Sequence, residues 1–273
     1  MASVNRRVLP GFSLSLGYTV TYLSLLVLIP LGACFLKASS LTLSEFWAAV
    51  WSDQAQAAYR TTFGCALVAA AVNVIIGLIV GWTLVRYNFP LKRIIDALVD
   101  LPFALPTAVA GMVYATLYVE NGWLGQFLVP MGIQVAHTRL GIVMVLVFTG
   151  FPFVVRTVQP VLEALDAETE EAASILGATR LQTFMRVILP TLLPAIVTGF
   201  ALAFARAVGE YGSVIFISGN VRFETEIAPM LIVSRLEEFA YREATAIAVV
   251  LLTASFVLLA VINVLEKWSK RHG

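Results

Sequence analysis

No charged residue interrupts the chain between Val8 and Leu36, and five more apolar runs follow with at most two charges each. A bilayer core of about 30 Å is crossed by about 20 helical residues, and a helix satisfies its own backbone in hydrocarbon. The runs predict spans over Gly17 to Phe35, Thr61 to Val85, Leu101 to Val119, Leu140 to Val161, Val187 to about Ile217, and Ala244 to Leu265. The fold class is therefore all-α: a polytopic membrane protein with about six transmembrane helices.

Composition agrees. Hydrophobic residues make up 59% of the 273 residues and charged residues 13%, about half the roughly 25% usual in soluble domains. This excludes a disordered chain, a nucleic-acid-binding protein and an ordinary cytosolic enzyme. Residues 1–60 are expected to form an N-terminal helix and outer loop, 61–265 the transmembrane core, and 266–273 a cytoplasmic tail. Arg6 and Arg7 precede the first run as in a signal peptide, but no clear small-residue cleavage site follows, so the run is read as a retained span.

Cys34 and Cys65 lie inside apolar runs and suit small buried hydrophobes, and His137 and His272 stand alone, so neither pair builds a metal site. No cofactor or metal is expected in this chain. With the N-terminus inside, the inner connections hold eleven basic residues and the outer ones six: Lys37, Arg60, Arg139, Arg222, Arg235 and Arg242. The positive-inside rule then places both termini in the cytoplasm. Arg156, near the end of the fourth run, is expected to snorkel to the headgroups.

The inner connection from Leu162 to Arg186 is the most informative segment. Asp166 is placed to cap a helix whose first turns are acidic, with Glu168, Glu170 and Glu171, and Gly177 suits its C-terminal stop. Thr179 with Gln182 reads as a capping box opening a second helix. Charge alone leaves a rigid projection and a solvated acidic loop equally open.

Glu171-Ala172-Ala173, three residues, Gly177, nine residues, then Val187-Ile188-Leu189-Pro190 resembles the EAA motif of importer-type ABC transporter permeases, with Val187 in place of Ile. The resemblance implies a coupling helix that docks on a dimer of ATP-binding subunits. Small Ala172 and Ala173 would permit close packing, Glu171 would pair with a partner cation, Gly177 would supply the turn, and Leu189 and Pro190 would open the next span. No G-x-x-x-x-G-K-[ST] loop exists, since none of the four lysines follows a glycine. ATP and Mg therefore belong to the partner, and the chain is not expected to be an enzyme.

Asp100 to Gly111, Phe153 to Glu163, Arg206 to Gly212 and Ile215 to Asn220 are similar to segments of sulfate and molybdate permeases, most of all the T-type sulfate/thiosulfate subunits. That likeness implies a bacterial inner-membrane importer of sulfate or thiosulfate. Its partners would be a related W-type permease subunit, an extracytoplasmic sulfate-binding protein and membrane lipid, with no nucleic acid. Molybdate or tungstate is the neighbouring alternative, because tetrahedral dianions share charge and shape.

Two places are candidates for the substrate pathway. Pro102 and Pro106 interrupt the hydrogen-bond ladder at the start of the third span, freeing amides beside the Thr107 hydroxyl, while Gly111 permits close backbone approach. A simple packing kink is the other explanation. Arg206 and Glu210 are the only ionisable pair deep in an apolar run and share a helix face. Arg206 would lower the barrier to an anion while Glu210 limits its retention, or the two form a structural pair beside Gly209 and Gly212. An ATP-independent anion transporter and a membrane-embedded enzyme are the rival classes, and the spans offer the latter no His and no paired carboxylates.

Overall fold

The structure is a computed structural model describing residues 11–272, and among them five helices are long and apolar enough to cross a membrane. Arg6 and Arg7, expected ahead of the first span, lie outside the described residues, as does Gly273. Helix α1 (Phe12–Ala38) is followed by a short α2 (Leu43–Val50) and by α3 (Asp53–Arg86). Next come α4 (Lys92–Val99), α5 (Leu101–Ala104), α6 (Thr107–Tyr118) and α7 (Arg139–Glu163). Helices α8 (Ala167–Ile175), α9 (Arg180–Val208), α10 (Val214–Ser218), α11 (Ala228–Glu237) and α12 (Tyr241–His272) complete the chain.

Two expected spans are not continuous helices. The third is α5, an extended link at Leu105 and Pro106, and α6. Twelve residues of α6 rise only about 18 Å, well short of a bilayer core of about 30 Å. Pro106 cannot donate a backbone hydrogen bond and biases Leu105 toward extended backbone, which is the cause of the break. The fifth run, expected to continue to about Ile217, stops at Val208, and α10 is a separate turn of helix.

The core is the three-helix contact of α3, α7 and α9, and it depends on small residues. Ala66, Ala69 and Ala70 of α3 are buried against α7 and α9. A Cβ added at Gly77 of α3 would stand 2.7 Å from Cγ1 of Val154 on α7. In lipid, where burying apolar surface between helices gives no hydrophobic gain, such close backbone approach is what packs one helix on another. Helix α1 by contrast buries only Ala38 and rests on α12 at the edge of the bundle.

Prolines shape the helices locally. Both α1 and α9 contain a π-helical turn, Ser24–Leu28 and Phe184–Ile188, and each ends two residues before a proline, Pro30 and Pro190. A missing N–H leaves a carbonyl unpaired in the preceding turn, and the wider π turn absorbs the misfit.

Candidate functional site

Where α6 begins, its backbone interlocks with the gap between α9 and α10. Gly111 lies on the Ser213 backbone, and a Cβ there would come within 2.7 Å of the Ser213 Cα. Gly212 lies on the Thr107 side chain, whose Cβ would be 3.3 Å from an added methyl. Two interrupted spans thus cross at their interruptions, and a side chain at Gly111 would meet backbone while one at Gly212 would displace the Thr107 hydroxyl. Thr107, Ala108 and Val109 are the first residues of α6, ahead of the first intrahelical donor, Ala110, whose N–H reaches Pro106 O.

Glu210 organises the same gap. Its Oε1 accepts from the Ser213 N–H at 3.0 Å and from the Ser213 hydroxyl at 2.7 Å, while Oε2 receives Arg206. The Glu210 side chain is 2% exposed, whereas that of Arg206 is 35% exposed. The carboxylate is therefore consumed in holding the turn that ends α9 and starts α10. The cation, near the negative end of α9, keeps an open side. Of the expected pathway residues, Thr107, Arg206 and Glu210 come together at this crossing, with Pro106 as the residue that precedes α6. Pro102 sits one turn earlier, in α5.

At one end of the bundle, α8 and the start of α9 form the expected projection. Gly177 has φ +81°, and the N–H groups of Gly177 and Ala178 donate to Ser174 O and Ala173 O, both at 3.0 Å. These two bonds close the helix in a Schellman motif. The Thr179 box forms with both bonds, Thr179 N–H to Gln182 Oε1 at 2.8 Å and Gln182 N–H to Thr179 Oγ1 at 3.3 Å. Asp166 occupies the N-cap position, but its side chain makes no cap hydrogen bond, so Glu168 and Glu170 supply the acidic first turn instead. Glu171 and Ala172 are exposed and Ala173 half-buried. Beside them Ile175 and Leu176 are 86% and 87% exposed, a bare apolar pair at the tip. Leu189 packs against the core, and Pro190 stands exposed in the turn after the π-helical segment.

Two ion-pair groups at this end were not anticipated. Arg86, the last residue of α3, pairs with Glu170 of α8 and lies 5.5 Å from the Trp82 ring centroid. Arg156, expected to snorkel, is held by partners within the chain. Its guanidinium donates to Asp100 Oδ1 and Oδ2 at 2.8 and 2.6 Å, to Asp96 Oδ1 at 2.7 Å, to Asp96 O at 2.8 Å and to Gln159 Oε1 at 2.7 Å. Those bonds employ all five donors. They tie α7 to the approach to the broken span, and the Arg156 guanidinium holds the pKa of the Asp100 carboxyl below the usual carboxylate range. The signal was present in the sequence: Asp96 and Asp100 are four apart, hence on one helix face, and a lone arginine in an apolar run needs a carboxylate.

Apolar spans, crossed interruptions and a rigid helical projection at one end define a polytopic membrane permease. The chain belongs to the binding-protein-dependent transport system inner membrane component family, whose model matches residues 73–272. A relative in Salmonella typhimurium, the sulfate transport system permease protein CysT, is 51% identical over 266 residues, covering 97% of this chain and 96% of that one. The Escherichia coli protein of the same name is 50% identical, with 96% and 95% covered. Among solved structures, a bacterial ABC transporter that imports the acidic polysaccharide alginate has a chain of the same fold, with a TM-score of 0.76 at 14% identity and 94% of each chain covered.

Proposed function

We propose that the chain is the transmembrane permease subunit of an ATP-driven sulfate importer of the bacterial inner membrane, forming the anion pathway with a second, related W-type subunit. The observation that carries the substrate is the near-full-length identity of about half to proteins named as sulfate permeases. The crossing of α6 with the α9–α10 gap is where the anion passes. Arg206 faces the pathway with its open side, and the free amides at the start of α6, with the Thr107 hydroxyl, offer uncharged donors to a dianion.

Energy enters at the projection. Ile175 and Leu176 seat in a groove on an ATP-binding subunit, Glu171 pairs with a cation there, and ATP with its Mg stays on that partner. Helix α8 is tied to α3 through Arg86–Glu170 and continues through the Gly177 corner into α9. Movement of α8 is therefore passed to two core helices, one of which ends at the crossing. This end faces the cytoplasm, as both termini do, and an extracytoplasmic sulfate-binding protein delivers the anion to the other end.

The test is uptake of labelled sulfate by cells with and without this chain, in competition with thiosulfate and with molybdate. Uptake should require the chain and be suppressed by thiosulfate. Sulfate uptake that survives deletion while molybdate uptake is lost would reassign the chain to a molybdate importer. Downhill sulfate movement in vesicles holding this chain alone would remove the need for ATP.

A further inference from the structure

At the end of the bundle opposite the projection, a cavity of about 550 Å³ lies between α1, α2 and the junction of α11 with α12, and its rim carries Lys37, Glu45, Arg242 and Glu243. A second, apolar cleft of about 430 Å³ adjoins it through the shared Leu41 and is lined by Phe35, Leu43, Phe46 and Val249. The cleft reaches past the rim along α12 and α1. Val249 lies eight residues into α12 from Tyr241, about 12 Å deeper at the helical rise, and Phe35 precedes Lys37 on α1. Trp47 and Trp51 stand four residues apart, both exposed, with rings 6.4 Å apart on the neighbouring α2 face. Exposed tryptophans on a short helix beside a span mark the level of the lipid headgroups.

The rim carries both signs in usable form. Among the described residues neither Lys37 nor Arg242 has a carboxylate within salt-bridge distance, whereas Arg235, also in the wall, is engaged by Glu238 at 2.7 Å and Glu243 at 3.6 Å. Glu45 uses one oxygen to close the α2 capping box, accepting from the Thr42 N–H and hydroxyl at 2.8 Å each. These bonds, with Arg242 as a lesser cause, hold the pKa of its carboxyl below the usual carboxylate range and leave the other oxygen without a bond. Glu243 likewise offers its second oxygen. A charged chamber with two cations that no carboxylate bridges and two carboxylate oxygens without a bond, opening into an adjoining apolar cleft, matches an amphiphile with a zwitterionic head.

We propose that this cavity and the adjoining cleft bind a glycerophospholipid whose headgroup is a phosphate followed by a primary ammonium, an ethanolamine-type lipid. Lys37 and Arg242 take the phosphate, Glu45 and Glu243 take the ammonium, and the cleft takes one acyl chain. A primary ammonium donates hydrogen bonds to carboxylates where a trimethylated one cannot. The site fastens the peripheral helix α1, through α2, to α12.

The experiment reconstitutes the full chain in phosphatidylcholine nanodiscs and adds one of three photoactivatable lipids with a diazirine in the acyl chain: ethanolamine, glycerol or choline headgroup. Crosslinked residues are then read by mass spectrometry. The ethanolamine probe should label the cleft around Phe35, Leu43, Phe46 and Val249 most strongly, and soluble glycerophosphoethanolamine at equal concentration should not compete. Lys37→Gln with Arg242→Gln should lower labelling by about fivefold for each cation removed. Glu45→Gln with Glu243→Gln keeps the capping box, since glutamine serves at that position, and should shift preference to the glycerol headgroup. Circular dichroism confirms that each variant folds. Equal labelling by all three probes, or undiminished labelling in Lys37→Gln/Arg242→Gln, overturns the proposal. Displacement by the soluble headgroup assigns the cavity to a free phosphate compound instead.

Discussion

Arg206 and Glu210 share one ion pair but not one role. Glu210 is fully buried and spends its second oxygen on Ser213, so its place is in the architecture of the α9–α10 turn. Arg206 keeps solvent-accessible surface on a span that elsewhere is apolar. Arg206→Gln should therefore leave the protein folded, because Ser213 still holds Glu210, while lowering the sulfate uptake rate about tenfold, equivalent to about 1.4 kcal/mol. Arg206→Lys should restore part of it. Uptake undiminished in Arg206→Gln would make the pair purely structural. Gly111 supplies the complementary test. A valine there must displace the Ser213 backbone, and overpacking against so rigid a neighbour costs about 3 kcal/mol or more. Gly111→Val should reduce thermal stability and yield, whereas Gly64→Ala, where nothing lies within 4 Å, should be neutral. Gly111 was readable from the sequence because a glycine after a proline-broken start has few other uses. The partner it meets, Ser213, was not, since nothing local in 107–111 specifies which backbone crosses it.

Among the elements, the projection was the most legible and the broken spans the least. Its helix, glycine corner and capping box follow from local side-chain to backbone bonds, which sequence spacing encodes directly. The fifth span reads as continuous through Ile217 because the apolar Val214 to Ile217 resumes the run after only Gly209 to Ser213. Its end is fixed by a buried carboxylate bonding three residues ahead, a choice that periodicity cannot display. The link from α8 to α3 was equally hidden, since Arg86 and Glu170 are far apart in sequence. Both side chains are partly exposed, and such a pair contributes only about 0.2 to 1 kcal/mol to stability, so in the proposed mechanism its part is transmission. Glu170→Arg should melt within a few degrees of wild type yet sever uptake from ATP hydrolysis on the partner. Combining it with Arg86→Glu should bring coupling back. Full coupling in the single variant would mean that α8 moves the core through the Gly177 corner alone.

The molecule as a whole has two chemically different ends, and this asymmetry predicts how it sits in the membrane. One end carries Arg86, Lys92, Arg93, Arg180 and Arg186 around the projection, with Asp96 and Asp100 already consumed by Arg156. By sequence the connections and termini on that side hold eleven basic residues, since Arg6, Arg7, Arg156, Lys267, Lys270 and Arg271 join these five, against six on the other, where Arg235 is engaged by Glu238 and Glu243. Because orientation follows the lysines and arginines of short connections while acidic residues contribute little, the projection end should lie in the cytoplasm. Two single cysteines decide it, introduced after Cys34→Ala and Cys65→Ala remove the native thiols. Glu171→Cys, exposed on the projection, should resist a membrane-impermeant maleimide in intact cells and react in inverted vesicles. Arg222→Cys, whose native side chain is 66% exposed at the opposite end, should do the reverse. Reaction of Glu171→Cys from outside would invert the topology and would leave the apolar tip of Ile175 and Leu176 on the wrong side of the membrane for a motor that draws on cytoplasmic ATP.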